Sequence, residues 1–406
     1  MEENICRKLF PIQHRPPALS KVALQGVLKD LLGTDIGISS VYEFCSFCDR
    51  NYHIHIDHDK FKHYLESKDL QLQDDQFKQN QQKPSFVLKI LNPCYLEYYE
   101  LTLARLKLLQ YLHNCGIRCP KILPLHNGNI MKTVRLSDEK VKNQAESMEL
   151  IAYILIYIEG QTIAKIHSNF DLCYRLGRFA AEIDIKLQAY SDETIKQANN
   201  IWSLQNFPAC KYYLKYCSDE KRGFLENIFN QICRTYFNKH VKNLRTAIIH
   251  ADFNHGNIIV KYNNETNNYD INGIIDFGLV NYSYVVFELA VLMAYTLLTV
   301  PHDRIRALGH LISGFHSVFP LTEVEYKSIY TLIILRLVQT SILTKYSSNL
   351  QPDNEFTMDS YEEKLEILKF LLSIPERDVY AVWDKIVGFS VGEDVYNYLE
   401  SENIQI

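Results

Sequence analysis

The chain has 406 residues, 47% of them hydrophobic, and its formal net charge at pH 7 is −5. These totals exclude wholesale disorder and indicate one large domain or two packed domains. The slight negative charge and the lack of any Lys/Arg-rich run argue against a nucleic-acid partner and against binding to an anionic membrane.

The cysteines and the N-terminal segment predict a cytoplasmic protein. Ten cysteines occur without the regular spacing of a disulfide framework, so we expect reduced, mostly buried thiols. The N-terminal segment MEENICRKLF has neither the apolar core of a signal peptide nor the composition of a transit peptide. The longest apolar run, 285–300, is too short to span a bilayer and contains Glu288, so it predicts a buried helix.

The first part of the chain is predicted to consist mostly of strands. A helix over 20–33 begins at Ser20 and ends at Gly33. A second helix covers roughly 96–116. The polar, Gln-rich segment 57–84 predicts a long solvated loop with at most a surface helix. Apolar alternation or short apolar runs predict strands at 41–45, 51–56, 84–91, and near 121–128 and 148–160.

Beyond residue 160 the pattern is mostly helical. Helical periodicity covers 169–188, 219–241, 285–300, 324–346 and 361–373. One β-rich patch interrupts these helices, and NNETNN (263–268) is its hairpin tip. The order of elements predicts an α+β, protein-kinase-like fold of two unequal lobes. We expect a small β-rich nucleotide-binding lobe over 1–158, with 57–84 as a polar insertion, and a larger helical lobe over 159–406.

Two motifs in the helical half predict phosphoryl transfer. HADFNHGN (250–257) has the spacing of a kinase catalytic loop, and DFG (276–278) follows at the end of a strand-like run. Phosphoryl transfer needs a base for the attacking hydroxyl and a few oxygen ligands for Mg²⁺. We therefore expect Asp252 to be the catalytic base, and Asn257 and Asp276 to bind the metal. His250 is expected to be structural, with a hydrogen bond to backbone near Asp276.

Lys89 is the candidate for binding the donor phosphates. It lies on the predicted strand at 84–91 between apolar residues, although a solvent-facing lysine is the alternative. Its partner should lie on the next helix, where Glu97 and Glu100 both qualify, and we choose Glu100. Protein kinases have an activation loop after the DFG motif, whereas this chain continues at once into the apolar run, so we expect a small-molecule acceptor.

The segment SFCDRN (46–51) joins the first two predicted strands, where kinases have a glycine-rich loop over the phosphates. It contains no glycine, so we expect nucleotide contacts from its backbone N–H groups, Ser46 and Asn51. A zinc site is the alternative for this region, with Cys45, Cys48, His53 and His55 as the candidate ligands. No second pair of ligands has suitable spacing, however.

These motifs resemble those of the aminoglycoside phosphotransferase/choline kinase family, whose hallmark is His-Gly-Asp-x4-Asn followed by Ile-Asp-Phe/Trp. Within that family the resemblance is to the hydroxylysine kinases, and it extends over SFCDRNYHIHI, FVLKI, YIEGQTI, NIWSLQNFP and NGIIDFGLVNYSYVVFELA. It implies phosphorylation of 5-hydroxy-L-lysine in lysine degradation, with GTP, or alternatively ATP, as donor. It also implies that backbone groups at Tyr157 and Ile158 contact the purine.

Two positions depart from the family pattern. Ala251 replaces the glycine of His-Gly-Asp, which costs about 1 kcal/mol if that position is left-handed. Leu279 stands where the hydroxylysine kinases have Asp, so activity or specificity differs if that Asp assists the metal or the substrate amine. The alternatives are therefore another small-molecule kinase, acting on choline, homoserine, a sugar or an aminoglycoside, or an inactive nucleotide-binding pseudokinase.

An amino-acid acceptor needs a cation for its carboxylate and an anion for its amines. Arg336, inside an apolar helical run, is expected either to bind the carboxylate or to form a salt bridge with Glu288. Glu288 is then either the amine acceptor or that partner. Trp202 is expected to line the pocket, with an ordinary core position as the alternative.

Overall fold

The computed structural model describes residues 8–10, 15–56, 60, 61, 64, 66, 85–137, 147–237, 241–354 and 361–388. The chain forms two compact units. The sheet unit comprises the described residues of Ile12–Gln110 and Pro120–Ile158. The helical unit comprises those of Met1–Pro11, Tyr111–Cys119 and Glu159–Ile406.

The sheet unit contains an antiparallel sheet of six strands in the order β1-β2-β3-β6-β4, with β5 also paired to β6. Its strands are β1 (Ile38–Phe44), β2 (Arg50–Ile56), β3 (Ser85–Ile90), β4 (Ile122–Leu123), β5 (Lys132–Ser137) and β6 (Ser147–Ile156). The five strands predicted in this part of the chain are confirmed. Strand β5 was not predicted, because only Val134 and Leu136 give it an apolar alternation.

Helix α1 (Lys21–Leu32) supplies the core that covers one face of this sheet. The Ser20 hydroxyl accepts the Ala23 N–H at 3.1 Å, and Gly33 ends the helix with a φ of 71°. These are the predicted ends, and both follow from ordinary capping chemistry. The apolar face of α1 packs with alternate residues of the strands, among them Leu24, Leu28, Leu31, Ile54, Phe86 and Leu88.

Helix α2 (Tyr99–Asn114) is confirmed, and a 3₁₀ turn over Pro93–Tyr98 precedes it. The predicted loop at 57–84 lies outside the described residues, apart from residues 60, 61, 64 and 66. Of these, Phe61 and Tyr64 are buried in the core of the sheet unit. This part of the segment is therefore packed rather than solvated.

The helical unit confirms the five predicted helices and contains others. Its helices are α3 (Phe170–Gln188), α4 (Glu193–Lys196), α5 (Asp219–Ile232), α6 (Val285–Thr296), α7 (Arg304–Val318), α8 (Glu323–Leu350), α9 (Tyr361–Leu372) and α10 (Glu376–Val387). A 3₁₀ segment covers Leu204–Tyr216. Helix α5 ends before the predicted position 241, where a π-helical turn at Cys233–Phe237 follows it.

Helix α7 was not predicted, and its glycines explain why. Glycine lowers helix propensity, so Gly309 and Gly314 weaken the local helical signal. In the fold, a Cβ on Gly314 would lie 2.0 Å from the carbonyl oxygen of Tyr174. A Cβ on Gly177 in α3 would lie 2.0 Å from the carbonyl oxygen of Leu311. Close packing of α3 against α7 therefore requires glycine at both positions.

Five short strands position the loops of the helical unit. They are β7 (Gln161–Thr162), β8 (Thr246–Ile249), β9 (Ile258–Asn263), β10 (Asn268–Ile274) and β11 (Asn281–Tyr284). Strands β9 and β10 form the predicted hairpin, and β7 pairs with β9. Strand β8 pairs with β11. The segments 250–257 and 275–280 are thus each held between two strands.

Two segments before residue 158 belong to a different unit from the one that the sequence predicted for them. Residues 8–10 and Tyr111–Cys119 belong to the helical unit rather than to the first lobe. Phe10 packs against Trp202, Tyr213 and Tyr346, with ring centroids 5.2 to 6.3 Å apart. Such long-range contacts leave no local signal in the sequence. Among the described helices, none combines the length and apolarity needed to cross a membrane.

Candidate active site

The loop between β8 and β9 holds Asp252 in a fixed orientation. Its Oδ1 accepts a hydrogen bond from the Asn254 side chain at 2.8 Å, and its Oδ2 accepts one from the Asn257 side chain at 2.8 Å. The Asn257 amide nitrogen also donates to the Asp252 carbonyl oxygen at 3.0 Å. The two residues predicted as base and metal ligand are therefore in direct contact.

Ala251 adopts the left-handed backbone conformation, in which an alanine in place of the family's glycine has an energetic cost. Its φ is 65°, and its side chain is buried. A Cβ is strained in this region, which explains why glycine suits the position. The loop nevertheless keeps its hydrogen bonds with alanine present.

We expect Ala251→Gly to raise the free energy of unfolding by up to about 1 kcal/mol, because removing left-handed strain outweighs the added freedom of the unfolded chain. Turnover should change little. The control is Ala307→Gly, since Ala307 lies inside α7 and the same substitution there should destabilise by about 1 kcal/mol or more. Urea unfolding measures both, and equal destabilisation would contradict the strain at Ala251.

Glu288 fixes the backbone of the loop at residues 250 and 251. It lies in the first turn of α6 and is 0% exposed. Its Oε1 accepts the His250 N–H and its Oε2 accepts the Ala251 N–H, each at 2.8 Å. Burial raises the pKa of Glu288, and the two backbone donors oppose that rise. Each oxygen thus accepts a backbone N–H, and the acid that pairs with Arg336 is Asp252 rather than Glu288, which was the expected partner.

Asp184 on α3 is a second buried carboxyl group near Glu288. It is 1% exposed, and neither carboxylate oxygen has a hydrogen-bond partner among the described residues. Burial and the nearby charge of Glu288 raise its pKa well above the ordinary range. Because Glu288 receives two N–H donors and Asp184 receives none, the proton of the pair belongs on Asp184.

We expect Asp184→Asn to increase stability, and to do so more as the pH rises. Below about pH 4 the carboxyl is protonated in both the folded and unfolded states, so its titration has no effect. Above that pH the unfolded chain releases the proton first, and the wild type loses up to about 1.4 kcal/mol per pH unit until the folded group ionises. Urea unfolding at pH 5 and pH 8 measures this, and a pH-independent difference between the proteins would contradict it.

The electrostatic surroundings of Asp252 suit a general base. Burial raises its pKa to about 6, Arg336 opposes the rise and Asp276 adds to it. The group therefore remains ionised at neutral pH yet accepts a proton more readily than an ordinary aspartate. Arg336 Nη2 lies 3.6 Å from Asp252 Oδ1.

Arg336 is held at this site by the surrounding backbone and by an amide. It is 1% exposed, and its Nη1 donates to the Trp202 carbonyl at 2.9 Å and to Gln339 Oε1 at 3.0 Å. Its Cζ lies 5.8 Å from the centroid of the half-buried Trp202 ring. The structure thus places Arg336 in contact with both Asp252 and Trp202.

Asp276 follows β10 and has a φ of 65°. Its Oδ1 accepts the Gly278 N–H at 3.3 Å, and its charge affects the pKa values of both Asp252 and His250. The Asn257 nitrogen is directed to Asp252, which leaves the amide oxygen of Asn257 as the atom that a cation can use. One carboxylate and one amide oxygen fit Mg²⁺, which takes few protein ligands. No cluster of three His, Cys, Asp or Glu side chains suited to a metal occurs in the described residues.

His250 is buried beneath the loop, and the backbone that affects its ring is that of Ile275, next to Asp276, where a hydrogen bond was expected. Its Nδ1 accepts the Asp252 N–H at 3.2 Å. Its Nε2 has no hydrogen-bond partner of normal geometry in the described chain, although the Ile275 backbone favours the protonated ring. Burial dominates and lowers the pKa of His250 to about 4, so the imidazole is neutral. It packs edge-on to Phe277, with ring centroids 4.6 Å apart.

In the sheet unit, two predicted nucleotide-binding residues lie side by side. Lys89 on β3 is 7% exposed and is directly opposite Asn51 on β2. Asn51 Oδ1 is buried without a hydrogen-bond partner among the described residues. Because side chains alternate along a strand, both residues lie on the face opposite to α1.

The SFCDRN turn is held by side chains instead of glycine geometry. Ser46 donates to the Asp49 carbonyl at 2.5 Å and accepts from Arg15 Nη2 at 3.2 Å. Asp49 Oδ1 accepts the Asn92 N–H at 2.8 Å. The Ser46 hydroxyl is therefore already engaged within the turn.

The structure does not bring Glu100 to Lys89. Glu100 is exposed in the first turn of α2, and the described residues show no ion pair between the two. The helix buries its Leu106, Leu108 and Leu109 side instead, so Glu100 points to solvent with Lys107. The predicted pairing is not observed.

Tyr157 belongs to an aromatic stack at the end of β6. Its ring centroid is 3.9 Å from that of His53, and Phe44 stacks 5.6 Å from His53. Burial and the neighbouring His55 lower the pKa of His53 to about 4, so its ring is neutral. Ile158, next in the chain, is buried.

Sequence reasoning missed three residues of the helical unit that lie at or near the site. Asp184 continues the buried series Leu172, Leu176 and Ala180 at four-residue spacing, so helical periodicity would have placed it in the core. Gln339 follows Arg336 by one turn, and its Nε2 donates to the Ile201 and Ser203 carbonyls. Lys364 lies on the buried face of α9 and is 7% exposed.

A family model described as the phosphotransferase enzyme family matches residues 71–318. The chain belongs to this family. A hydroxylysine kinase from Mus musculus is 25% identical over 90% of this chain and 93% of its own length. A hydroxylysine kinase from Danio rerio is 28% identical over 73% of this chain and 83% of its own length.

A solved structure of an amicoumacin kinase, in complex with AMP-PNP, Ca²⁺ and Ami, is similar to this phosphotransferase. The TM-score is 0.56 at 15% identity, over 92% of this chain and 96% of that one. At that identity the likeness shows the fold, and the predicted α+β, protein-kinase-like fold is confirmed. Family and relatives together make the chain a small-molecule phosphotransferase that acts on a hydroxyl group.

Proposed function

We propose that this phosphotransferase transfers the γ-phosphate of GTP to the hydroxyl of 5-hydroxy-L-lysine. The observation that carries the proposal is that Asp252 contacts both Asn257, on the same loop, and Arg336, on helix α8. The similarity of the chain to hydroxylysine kinases supports the choice of substrate. Such a reaction would belong to lysine degradation. The donor assignment to GTP rests on the family resemblance, and ATP is the competing donor.

In this proposal Asp252 accepts the proton of the substrate hydroxyl as it attacks the phosphate. Its raised pKa of about 6 and its two amide donors support that role. Glu288 acts as a positioning residue because it binds the loop backbone at the two residues before Asp252. Arg336 binds the acceptor carboxylate, and Trp202 lines the same pocket.

Asn257 and Asp276 would hold Mg²⁺ in the proposed enzyme. The ion would neutralise charge on the transferring phosphate when bound. Lys89 and Asn51 would bind the donor, with the SFCDRN backbone and the backbone at Tyr157 and Ile158 contributing. We further propose a cytoplasmic location, which is supported by the lack of any disulfide among the cysteines of the described residues.

The test is nucleotide consumption by the purified protein, with GTP and ATP assayed in parallel. The acceptor panel contains 5-hydroxy-L-lysine, L-lysine as the matched control without a hydroxyl, choline, homoserine, a hexose and an aminoglycoside. We expect turnover with 5-hydroxy-L-lysine and GTP, none with L-lysine, and phosphorylated 5-hydroxylysine by mass spectrometry.

Preferred turnover of another acceptor would replace the substrate assignment while leaving the reaction class in place. Saturable nucleotide binding without turnover of any acceptor would indicate a pseudokinase and overturn the proposal. The left-handed Ala251, which leaves the loop hydrogen bonds intact, argues against such inactivation.

A further inference from the structure

Gln339 is a buried amide next to Arg336, and both ends of its side chain are bound. It lies on α8 three residues after Arg336 and is 0% exposed. Its Oε1 accepts a hydrogen bond from Arg336 Nη1 at 3.0 Å. Its Nε2 donates to the carbonyl oxygens of Ile201 at 2.9 Å and Ser203 at 3.1 Å. Since arginine can only donate and a carbonyl can only accept, these partners fix the orientation of the amide.

The segment Ile201–Ser203 is attached to α8 through consecutive backbone carbonyls. Arg336 Nη1 donates to the middle one, that of Trp202, at 2.9 Å, and Gln339 binds the carbonyl on either side. Asn200 Oδ1 accepts the last two N–H groups of the segment at 2.9 and 3.0 Å. Side chains from one turn of α8 thus hold the backbone that carries the Trp202 ring.

The bonds to Gln339 and Trp202 occupy one nitrogen of the Arg336 guanidinium. Both of them go to Nη1. Nε is buried and has no hydrogen-bond partner among the described residues, and Nη2 lies 3.6 Å from Asp252 Oδ1. Nε and Nη2 share one edge of this planar group, and two parallel N–H bonds from such an edge match a carboxylate. The anchoring of Nη1 therefore decides which edge of Arg336 remains for a ligand.

We propose that Gln339 is a positioning residue for the acceptor, because it holds Arg336 so that the Nε–Nη2 edge binds the acceptor carboxylate. This inference rests on the proposed function, in which Arg336 is the residue that binds this carboxylate. A guanidinium that is fixed before the ligand arrives loses less conformational entropy on binding. The contribution of Gln339 should therefore appear in the affinity for acceptors that have a carboxylate.

The experiment compares 5-hydroxy-L-lysine with 1,5-diaminopentan-2-ol, its counterpart without a carboxylate, by calorimetry and by kcat/KM. Gln339→Met keeps the length of the side chain but removes its hydrogen bonds, so the Kd for 5-hydroxy-L-lysine should rise about tenfold. The Kd for the amino alcohol should change less than about threefold, because that ligand has no group for this edge of Arg336. KM for the nucleotide should stay at the wild-type value.

Ser341→Ala is the matched control. Ser341 is also 0% exposed on α8, but its hydroxyl donates at 2.7 Å to the Leu337 carbonyl of the same helix. Loss of that bond should lower the free energy of unfolding and leave the affinity for both ligands unchanged.

A double-mutant cycle with Arg336→Met tests whether Gln339 acts through Arg336. With Arg336 already replaced, Gln339→Met should change the affinity and kcat/KM for 5-hydroxy-L-lysine by less than about twofold, because the group that it positions is gone. A purely structural role would give the same loss in both backgrounds. Gln339→Glu removes both N–H donors and neutralises Arg336, so it should also weaken binding of 5-hydroxy-L-lysine selectively. It provides the test if circular dichroism shows that Gln339→Met is not folded.

Calorimetric binding separates this inference from the proposed function. If wild type binds 5-hydroxy-L-lysine without turnover, the proposed function fails, yet a loss of affinity that depends on the carboxylate in Gln339→Met still supports the inference. If wild type turns over 5-hydroxy-L-lysine and a folded Gln339→Met binds it equally well, the inference alone is overturned. Equal losses for both ligands, equal losses in both backgrounds, or a preferred acceptor without a carboxylate also overturn it.

Discussion

Asp252→Asn is expected to lower kcat by about a hundredfold to ten-thousandfold, which is the range that a general base contributes. The amide cannot accept the proton of the attacking hydroxyl. It also offers one acceptor oxygen where the carboxylate has two, so one of the hydrogen bonds from Asn254 and Asn257 is lost. Affinity for the magnesium–nucleotide complex should stay nearly unchanged. Initial rates and nucleotide titration together measure both quantities.

Asp270→Asn is the matched control for this substitution. Asp270 is an exposed carboxylate on β10, 3.7 Å from Arg175, in the same unit of the chain. An exposed pair of this kind contributes little, so its loss should leave kcat at the wild-type value. If Asp252→Asn also kept wild-type turnover, another group would have to serve as the base.

Glu288→Gln is expected to lower kcat by about tenfold to a hundredfold. Glutamine has one acceptor oxygen, so its NH₂ group would face either the His250 or the Ala251 N–H. A buried donor without a partner costs about 1–3 kcal/mol, and here that cost falls on the residues next to the base. The chain would relieve it by moving the loop. KM for the nucleotide should change less than kcat, because the substitution acts through Asp252.

Glu325→Gln distinguishes loop positioning from general destabilisation. Glu325 is also 0% exposed and accepts hydrogen bonds with both oxygens, but its partners are Arg245 and Thr322. The control should lower the free energy of unfolding while leaving kcat unchanged. Equal losses of kcat in both variants, in proportion to lost stability, would remove the positioning role from Glu288.

The loop that carries Asp252 and Asn257 could be predicted from the sequence because its hydrogen bonds are local. The spacing of Asp252 and Asn257 sets the hydrogen bonds between them, and the apolar runs on each side form β8 and β9. Ala251 could be singled out for the same reason, since its backbone conformation belongs to one position in that loop.

The partners of buried charges were not readable in this way. Glu288 was expected to contact Arg336 or the substrate. In the fold its two oxygens accept the backbone N–H groups of residues 250 and 251. Glu100 was expected to meet Lys89, and the rotation of α2 turns it to solvent. The rotation of a helix about its axis decides such contacts, and the periodicity of the sequence does not specify that rotation finely enough.

The sequence by itself determined the class of fold, most of the helices and strands, and the loop that carries Asp252 and Asn257. These depend on periodicity, capping and spacing, which act over a few residues. Only the tertiary structure decided that Glu288 holds the loop, that Asp184 lies near it, and that Gln339 binds the backbone on either side of Trp202. Those contacts join residues far apart in the chain, and a buried polar group takes whichever partner the packing brings within reach.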